Sequence, residues 1–361
     1  MLGERVAGKY EIRRLLGQGA MGAVYEALHV ELGKRLAIKL IRPEFIESPE
    51  IAGRFRREAR AASAVESEYI AQIFDFGHDP ARGLYMVIEY LEGEDLEGRL
   101  LREGRLGEAE VATIGVQVAR GLARAHAAGI VHRDLKPANI FLTQRDDRSL
   151  LAKIVDFGIA KFEPEHHGDR GEPPLTEFGT TLGTPQYMSP EQCTGRLALD
   201  PRTDIWSLCA VLYEMAAGAP AIRGDGGQVA VMQRIVREDV PALAQRAPWV
   251  SAALARVIDA GLSRDRDERI GDAATLAERI AIASSAALAH SGPDAPAYRT
   301  YRLPGLDQEA ASSLAELRVD TAPPSSEPAR TCGDDVEIFA RTGPMQRDLL
   351  ALRRHKPEPR E

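Results

Sequence analysis

The stretch VHRDLKPANI, residues 131–140, sets a carboxylate (Asp134), an ammonium (Lys136) and an amide (Asn139) within six positions. Pro137 sits among them. Its ring fixes φ and disfavours helical geometry at Lys136, so the loop is restrained where its polar groups lie. Other stretches suit a phosphate-bearing ligand. GQGAMGAV, Gly17 to Val24, fits GxGxxG between two strands. A flexible hairpin without side chains can lay its backbone N–H groups over phosphates, although a plain glycine turn explains the same pattern. The strand–strand setting argues against a dinucleotide fold, in which a helix opens at the third glycine. In LAIKL, Ala37 and Lys39 share one face of a strand. The small residue admits a flat ring, and the cation suits phosphate oxygens. Glu58, in FRREAR, can hold that ammonium in place from the next helix.

These groups need two kinds of support. Tyr10–Leu16, Ala23–Leu28, Arg35–Ile41, Ile73–Phe76 and Leu84–Glu89 read as strands, bounded by glycine near the N-terminus. Ser48-Pro49-Glu50 starts a helix running to about Val65. From Asp95 onward helices dominate. Glu108–Ala128 carries Val111, Ile114, Val118 and Leu122 at helical spacing and stops at Gly129. Asp200-Pro201 opens a helix through about Ala217 that is apolar all round, and so buried. Pro248–Gly261 and Asp272–Ala289 read as the last helices. Beyond about residue 290, SGPDAPAYRTYRLPG and TAPPSSEPAR read as disordered linker, with Val336–Arg354 a short helix or docking segment.

Composition narrows the class. The chain has 361 residues, a net charge of −8 and an average apolar fraction. No block of like charge suggests a nucleic-acid arm. The three cysteines, Cys193, Cys209 and Cys332, stand far apart, which argues against a zinc site or redox pair. Free thiols fit a reducing compartment. Neither a signal peptide nor a membrane span is apparent, so a cytoplasmic location is expected.

Seven specified residues in HRDLKPxN should occur by chance on the order of 10⁻⁷ times in such a chain, at ~5% per residue. Together with IVDFG (154–158), LAIKL and the glycine hairpin, they make this sequence resemble the protein kinase family, in its bacterial eukaryotic-like serine/threonine branch. The resemblance implies an α+β bilobal protein kinase fold: a small antiparallel β-sheet lobe with one helix, and a larger, mainly helical lobe. The domain is expected over 10–285, with lobes at about 10–91 and 92–285, a lead-in at 1–9 and a disordered tail at 286–361.

The resemblance also implies roles. Asp134 accepts the substrate hydroxyl proton, Lys136 neutralises the transferring γ-phosphoryl group, and Asn139 and Asp156 ligate Mg²⁺, a hard cation. ATP contacts fall to Leu16, Gly17, Gly19, Gly22, Val24, Ala37, Lys39 and Glu58, to the hinge backbone at Glu89 and Leu91, and to Asp95 on the ribose. GTPQYMSPE (183–191) closes the activation segment; Thr184 with Lys136 is the serine/threonine pattern. Glu191 should pair with Arg269, and Asp204 should brace the catalytic loop. Arg133, Lys161 and Arg54 could gather round a phosphothreonine, for which Thr176, Thr180 and Thr181 are candidates. Partners implied are protein substrates, with no nucleic acid and room for a homodimer through the small lobe.

Some features depart from the family pattern. SPE replaces the commoner APE. Cys209 stands where glycine is usual in the buried helix, and is small enough to pack. FEPEHHGDRGEPP lengthens the activation segment; His166-His167 reads as a solvated pair rather than a metal site. The alternatives are a catalytically inactive scaffold of the same fold, against which the full set of polar residues argues, and a small-molecule phosphotransferase, against which GTPQYMSPE argues.

Overall fold

Strand alternation sorts the small lobe into two faces. In β4 (Lys34–Ile41) Leu36, Ile38 and Leu40 point one way, and in β6 (Gly83–Glu89) Tyr85 and Val87 join them. With Val6, Tyr10, Ile12 and Ala27 they form a buried cluster on that side of the sheet. Ile41, Ile73, Leu84 and Met86 belong instead to the larger core that continues into the helices. The computed structural model describes residues 2–19, 22–41, 53, 57, 59–156, 185–195 and 199–290, the last five by backbone alone.

The sheet is six-stranded and antiparallel, in the order β1-β2-β3-β4-β6-β5. Its remaining strands are β1 (Arg5–Val6), β2 (Tyr10–Gly19), β3 (Gly22–His29) and β5 (Ile73–Asp79). β1 pairs with the start of β2, so the sheet begins at Arg5, inside the stretch expected to be a lead-in. A two-residue strand has no apolar run to announce it. It is held from outside: the Ala7 N–H donates to Asp79 at 2.8 Å, and the Tyr10 hydroxyl to Asp75 at 2.6 Å. Between β4 and β5 lies a helix, α1, of which residues 53, 57 and 59–63 are described.

The second lobe is built on α3 (Glu108–Ala127) and α5 (Arg202–Ala217), which pack on each other. α5 is buried along nearly its whole length, as its all-round apolar composition requires. Cys209 is fully buried there and lies against Gly261 of α8 (Ala252–Gly261); a Cβ on Gly261 would sit 2.1 Å from the Cys209 sulfur. Burial pushes the thiol up to about 12. α8 starts after a Ser251 cap rather than at Pro248, and α9 (Ala273–His290) covers α3 and α8. Besides the one-turn α4 (Pro190–Cys193), three helices were not anticipated: α2 (Leu96–Glu103), α6 (Gly227–Arg237) and α7 (Leu243–Arg246). α4 is fixed by a Ser189/Gln192 capping box.

A three-stranded sheet of β7 (Glu94–Asp95), β8 (Ile140–Gln144) and β9 (Leu150–Ile154) carries the loops of the site. The described residues lie in one unit, Met1–Pro304; a second unit, Gly305–Glu361, lies outside them. Among the described residues no helix is long and apolar enough to cross a membrane.

Candidate active site

The loop 131–139 is hung from the inside. Leu135 and His132 are buried anchors. Asp204, fully buried in the first turn of α5, accepts from the backbone N–H groups of His132 (2.7 Å) and Arg133 (2.9 Å). His126, near the end of α3, adds a third contact at 2.8 Å. A buried carboxylate is tolerated when hydrogen-bonded in this way. Arg133 adopts φ +63°, a left-handed conformation unfavourable for a residue with a side chain. Two bonds flanking it hold the turn: its N–H to Asp204, and its carbonyl, which accepts from Gln192 at 2.8 Å.

Burial of the imidazole holds the pKa of His132 below its ordinary value, more than offsetting the pull of Asp204, Asp134 and Asp156. Its Nδ1 accepts from the Asp134 N–H at 3.2 Å, so the ring proton sits on Nε2.

Lys136 is extended (φ −157°, ψ 167°), as the following proline demands, and Pro137 opens a tight turn ending at Asn139. The turn folds the polar groups together. Asn139 donates to the Asp134 carbonyl at 2.8 Å and to its carboxylate at 3.4 Å, and the Lys136 ammonium lies 3.3 Å from that carboxylate. The Asn139 carbonyl accepts from the Val155 N–H at 2.9 Å, which fastens the loop to the residue before Asp156. Asp156 is itself left-handed, at φ +57°; strain of this kind clusters at functional sites. Its carboxylate meets the Lys39 ammonium at 2.8 Å. A strand of the small lobe and a loop of the large lobe thus meet in one ion pair.

The glycine hairpin divides by function. A Cβ on Gly22 would sit 2.0 Å from the Leu40 carbonyl, so this glycine is demanded by strand packing. Among the described residues, a Cβ above Gly17 would meet nothing within 4 Å, and one at Gly19 only a carbonyl at 4.0 Å. Nothing in the packing of the described residues requires those two to be glycine, and none of the described residues fills the space over them. Leu16 and Val24 flank the turn, Leu16 being exposed. Ala37 and Lys39 alternate with core residues of β4 and face the cleft. Asp95 caps α2, its Oδ1 accepting from Gly98 at 2.7 Å, which occupies part of the carboxylate expected on a ribose.

Glu58, Thr184, Thr176, Thr180, Thr181, Arg54, Lys161, His166 and His167 lie outside the described residues. The Arg133 Nε is buried with no hydrogen-bond partner among the described residues. Glu191 and Arg269 pair as the pattern implied, 2.7 Å at each end of a double hydrogen bond. Sequence reasoning missed His126, although it follows Leu122 at helical spacing. It also missed Gln192 and the Lys153–Glu89 ion pair at 2.8 Å, which only the folded chain brings together.

Hard oxygen donors at Asp156 and Asn139, beside an open glycine turn, suit magnesium held together with phosphate oxygens. Among the described residues no cluster of three or more histidine, cysteine or acidic side chains could hold a metal alone. Magnesium typically relies on one or two protein ligands plus phosphates, so the donor set fits.

A curled antiparallel sheet over a helical lobe, with these polar loops between them, is a protein kinase fold. The solved kinase domain of PknI from Mycobacterium tuberculosis superposes with a TM-score of 0.61 at 27% identity, over 78% of this chain and 99% of that one. The chain belongs to the protein kinase family: the family model described as protein kinase domain matches residues 10–280. It is 35% identical over 326 residues to the serine/threonine-protein kinase pkn3 of Myxococcus xanthus, covering 89% of this chain and 59% of that protein. It is 38% identical over 244 residues to PknA of Mycobacterium tuberculosis, covering 66% of this chain and 54% of that one. The chain therefore carries a bacterial-type serine/threonine kinase domain and spans little more than half the length of these relatives.

Proposed function

We propose that the protein transfers the γ-phosphoryl group of ATP to serine or threonine hydroxyls of proteins. The observation that carries this reading is the convergence of Lys39, Asp156, Asn139 and Asp134, through an ion pair at 2.8 Å and a backbone bond at 2.9 Å. The hydroxyl oxygen attacks the γ-phosphorus, the bond to the β–γ bridging oxygen breaks, and ADP leaves with that electron pair. Asp134 orients the hydroxyl and takes its proton. Lys136 and Lys39 balance charge on the phosphoryl oxygens; in this reaction positioning and electrostatics provide most of the acceleration. The backbone at Gly17 and Gly19 covers the phosphates, and the hinge at Glu89–Leu91 takes the adenine edge. Asn139 and Asp156 would hold magnesium, which supplies positive charge between the phosphates. Phosphorylation in the activation segment, at Thr176, Thr180 or Thr181, would give an anionic partner to the Arg133 guanidinium, whose Nε is buried without a hydrogen-bond partner among the described residues.

ATP-dependent autophosphorylation of the purified protein tests the reading. Labelling should be lost in Asp134→Asn, by about 10²–10⁴-fold in rate, with nucleotide still bound. Labelling that survives in that variant, or none in the wild type while ATP binds, would overturn it. Phosphatase treatment should lower the activity of the wild type.

A further inference from the structure

The residues at and after the end of β6, where the two lobes join, are gripped from several strands. Glu89 meets the Lys153 ammonium of β9 with both carboxylate oxygens, at 3.0 and 2.8 Å. Lys153 is only 9% exposed, unusual for lysine, and its ion pair crosses from the large lobe to the last residue of a small-lobe strand. The same carboxylate accepts from the Gln72 N–H at 3.2 Å, while the Glu89 N–H donates to the Gln72 carbonyl at 2.8 Å. The segment carrying Gln72 is in turn bonded to β9: Ala71 donates to the Ile154 carbonyl (2.9 Å), and Ile154 to the Tyr69 carbonyl (2.8 Å). Glu89 is thereby tied to the strand that leads into Asp156.

The next residues are held by other cations. The Arg35 guanidinium lies 4.2 Å over the Tyr90 ring and bonds Glu92 at 2.9 Å. Arg14 donates to the Tyr90 hydroxyl at 3.2 Å, and Glu26 binds both arginines, at 3.0 and 3.1 Å. Cations from β2, β4 and β9 thus engage Glu89, Tyr90 and Glu92.

We infer that Lys153, with Arg35 in a lesser part, is a positioning residue for nucleotide binding: the lysine fixes the hinge backbone against which the adenine edge is to bind. This rests on the phosphoryl-transfer reading above. Pre-organised backbone binds without the cost of ordering it, so releasing it weakens the nucleotide and leaves the bond-making step alone. The two pins differ in strength. Lys153 is shielded from water, whereas the Arg35 and Glu92 side chains are 49% and 75% exposed and their pairing is screened by salt.

The test measures ADP binding by calorimetry and the steady-state KM and kcat for ATP in the full chain. Lys153→Met should raise the ADP Kd and the ATP KM by about fivefold or more, with kcat within about twofold, and Lys153→Arg should recover most of the loss. In Arg35→Met the rise should be smaller and should vanish at high salt. Glu89→Gln combined with Lys153→Met should be no worse than Lys153→Met alone. Unchanged Kd and KM in Lys153→Met, or a loss of kcat alone, overturns the assignment while leaving the kinase reading intact. A wild-type protein that neither binds ADP nor transfers phosphate overturns both.

Discussion

Glu191 and Arg269, 78 residues apart in the chain, face each other fork to fork in the buried floor of the large lobe, with both hydrogen bonds at 2.7 Å. Thr203 donates to the same carboxylate at 3.0 Å, and the guanidinium lies 5.2 Å from the Trp206 ring. The pair ties α4, which follows the activation segment, to the loop before α9.

Breaking that pair from one side should be costly, because the other charge stays buried. Arg269→Met is expected to lower unfolding free energy by about 3–5 kcal/mol, measured by urea denaturation at pH 7. The pH dependence has a definite sign. Burial alone would raise the Glu191 pKa, but the hydrogen bonds and charge of Arg269 outweigh it, and the net shift is downward. A carboxylate held below its unfolded value stabilises the fold fully above that value, and the contribution fades as pH drops through the folded one. The stability gap between wild type and Glu191→Gln should therefore be widest near neutrality and close below the ordinary carboxylate range.

The glycines of the hairpin should separate by experiment. Gly22→Ala drives a methyl group into the Leu40 carbonyl, and should cost about 1–3 kcal/mol of stability in thermal denaturation. Gly17→Ala meets none of the described residues within 4 Å and should leave stability within about 0.5 kcal/mol, while raising the KM for ATP. Equal destabilisation by both would mean that the turn is packed rather than open.

Cys209 and Gly261 divide one small space between two helices. Gly261→Ala should destabilise by about 1–3 kcal/mol through overpacking. Adding Cys209→Gly should return much of that stability, since the sulfur is the atom in the way. A double variant no better than Gly261→Ala would show that α8 and α5 are fixed by other contacts. The native thiol, pushed up to about 12 by burial, should resist alkylation until the protein unfolds.

Much of the site was legible because its residues are dictated by chemistry within short windows. Asp134, Lys136 and Asn139 lie close in sequence, and Pro137 shapes the turn between them, so their convergence needs little tertiary information. Alternation alone put Ala37 and Lys39 on one face of their strand. What stayed hidden depends on distant partners. Nothing near Lys153 announces Glu89, and Asp95 serves as a helix cap because α2 begins there. β1 is too short to carry a pattern, and exists because Asp79 and Asp75 secure what surrounds it. In α6, by contrast, Val231, Met232 and Ile235 do sit at helical spacing and are buried, so that helix was readable.

The opening turns of α5 receive more than the catalytic loop. Asp204 carries His132 and Arg133, Thr203 reaches Glu191, and Ser207 bonds the Tyr187 carbonyl at 2.8 Å. The loop 131–139 and the segment from Tyr187 to Glu191 therefore share a single mooring, sunk in the buried start of α5. Neither segment can be shifted at that mooring without disturbing the other, so on the phosphoryl-transfer reading proposed above a change of substrate preference would have to be written into side chains that hang clear of it.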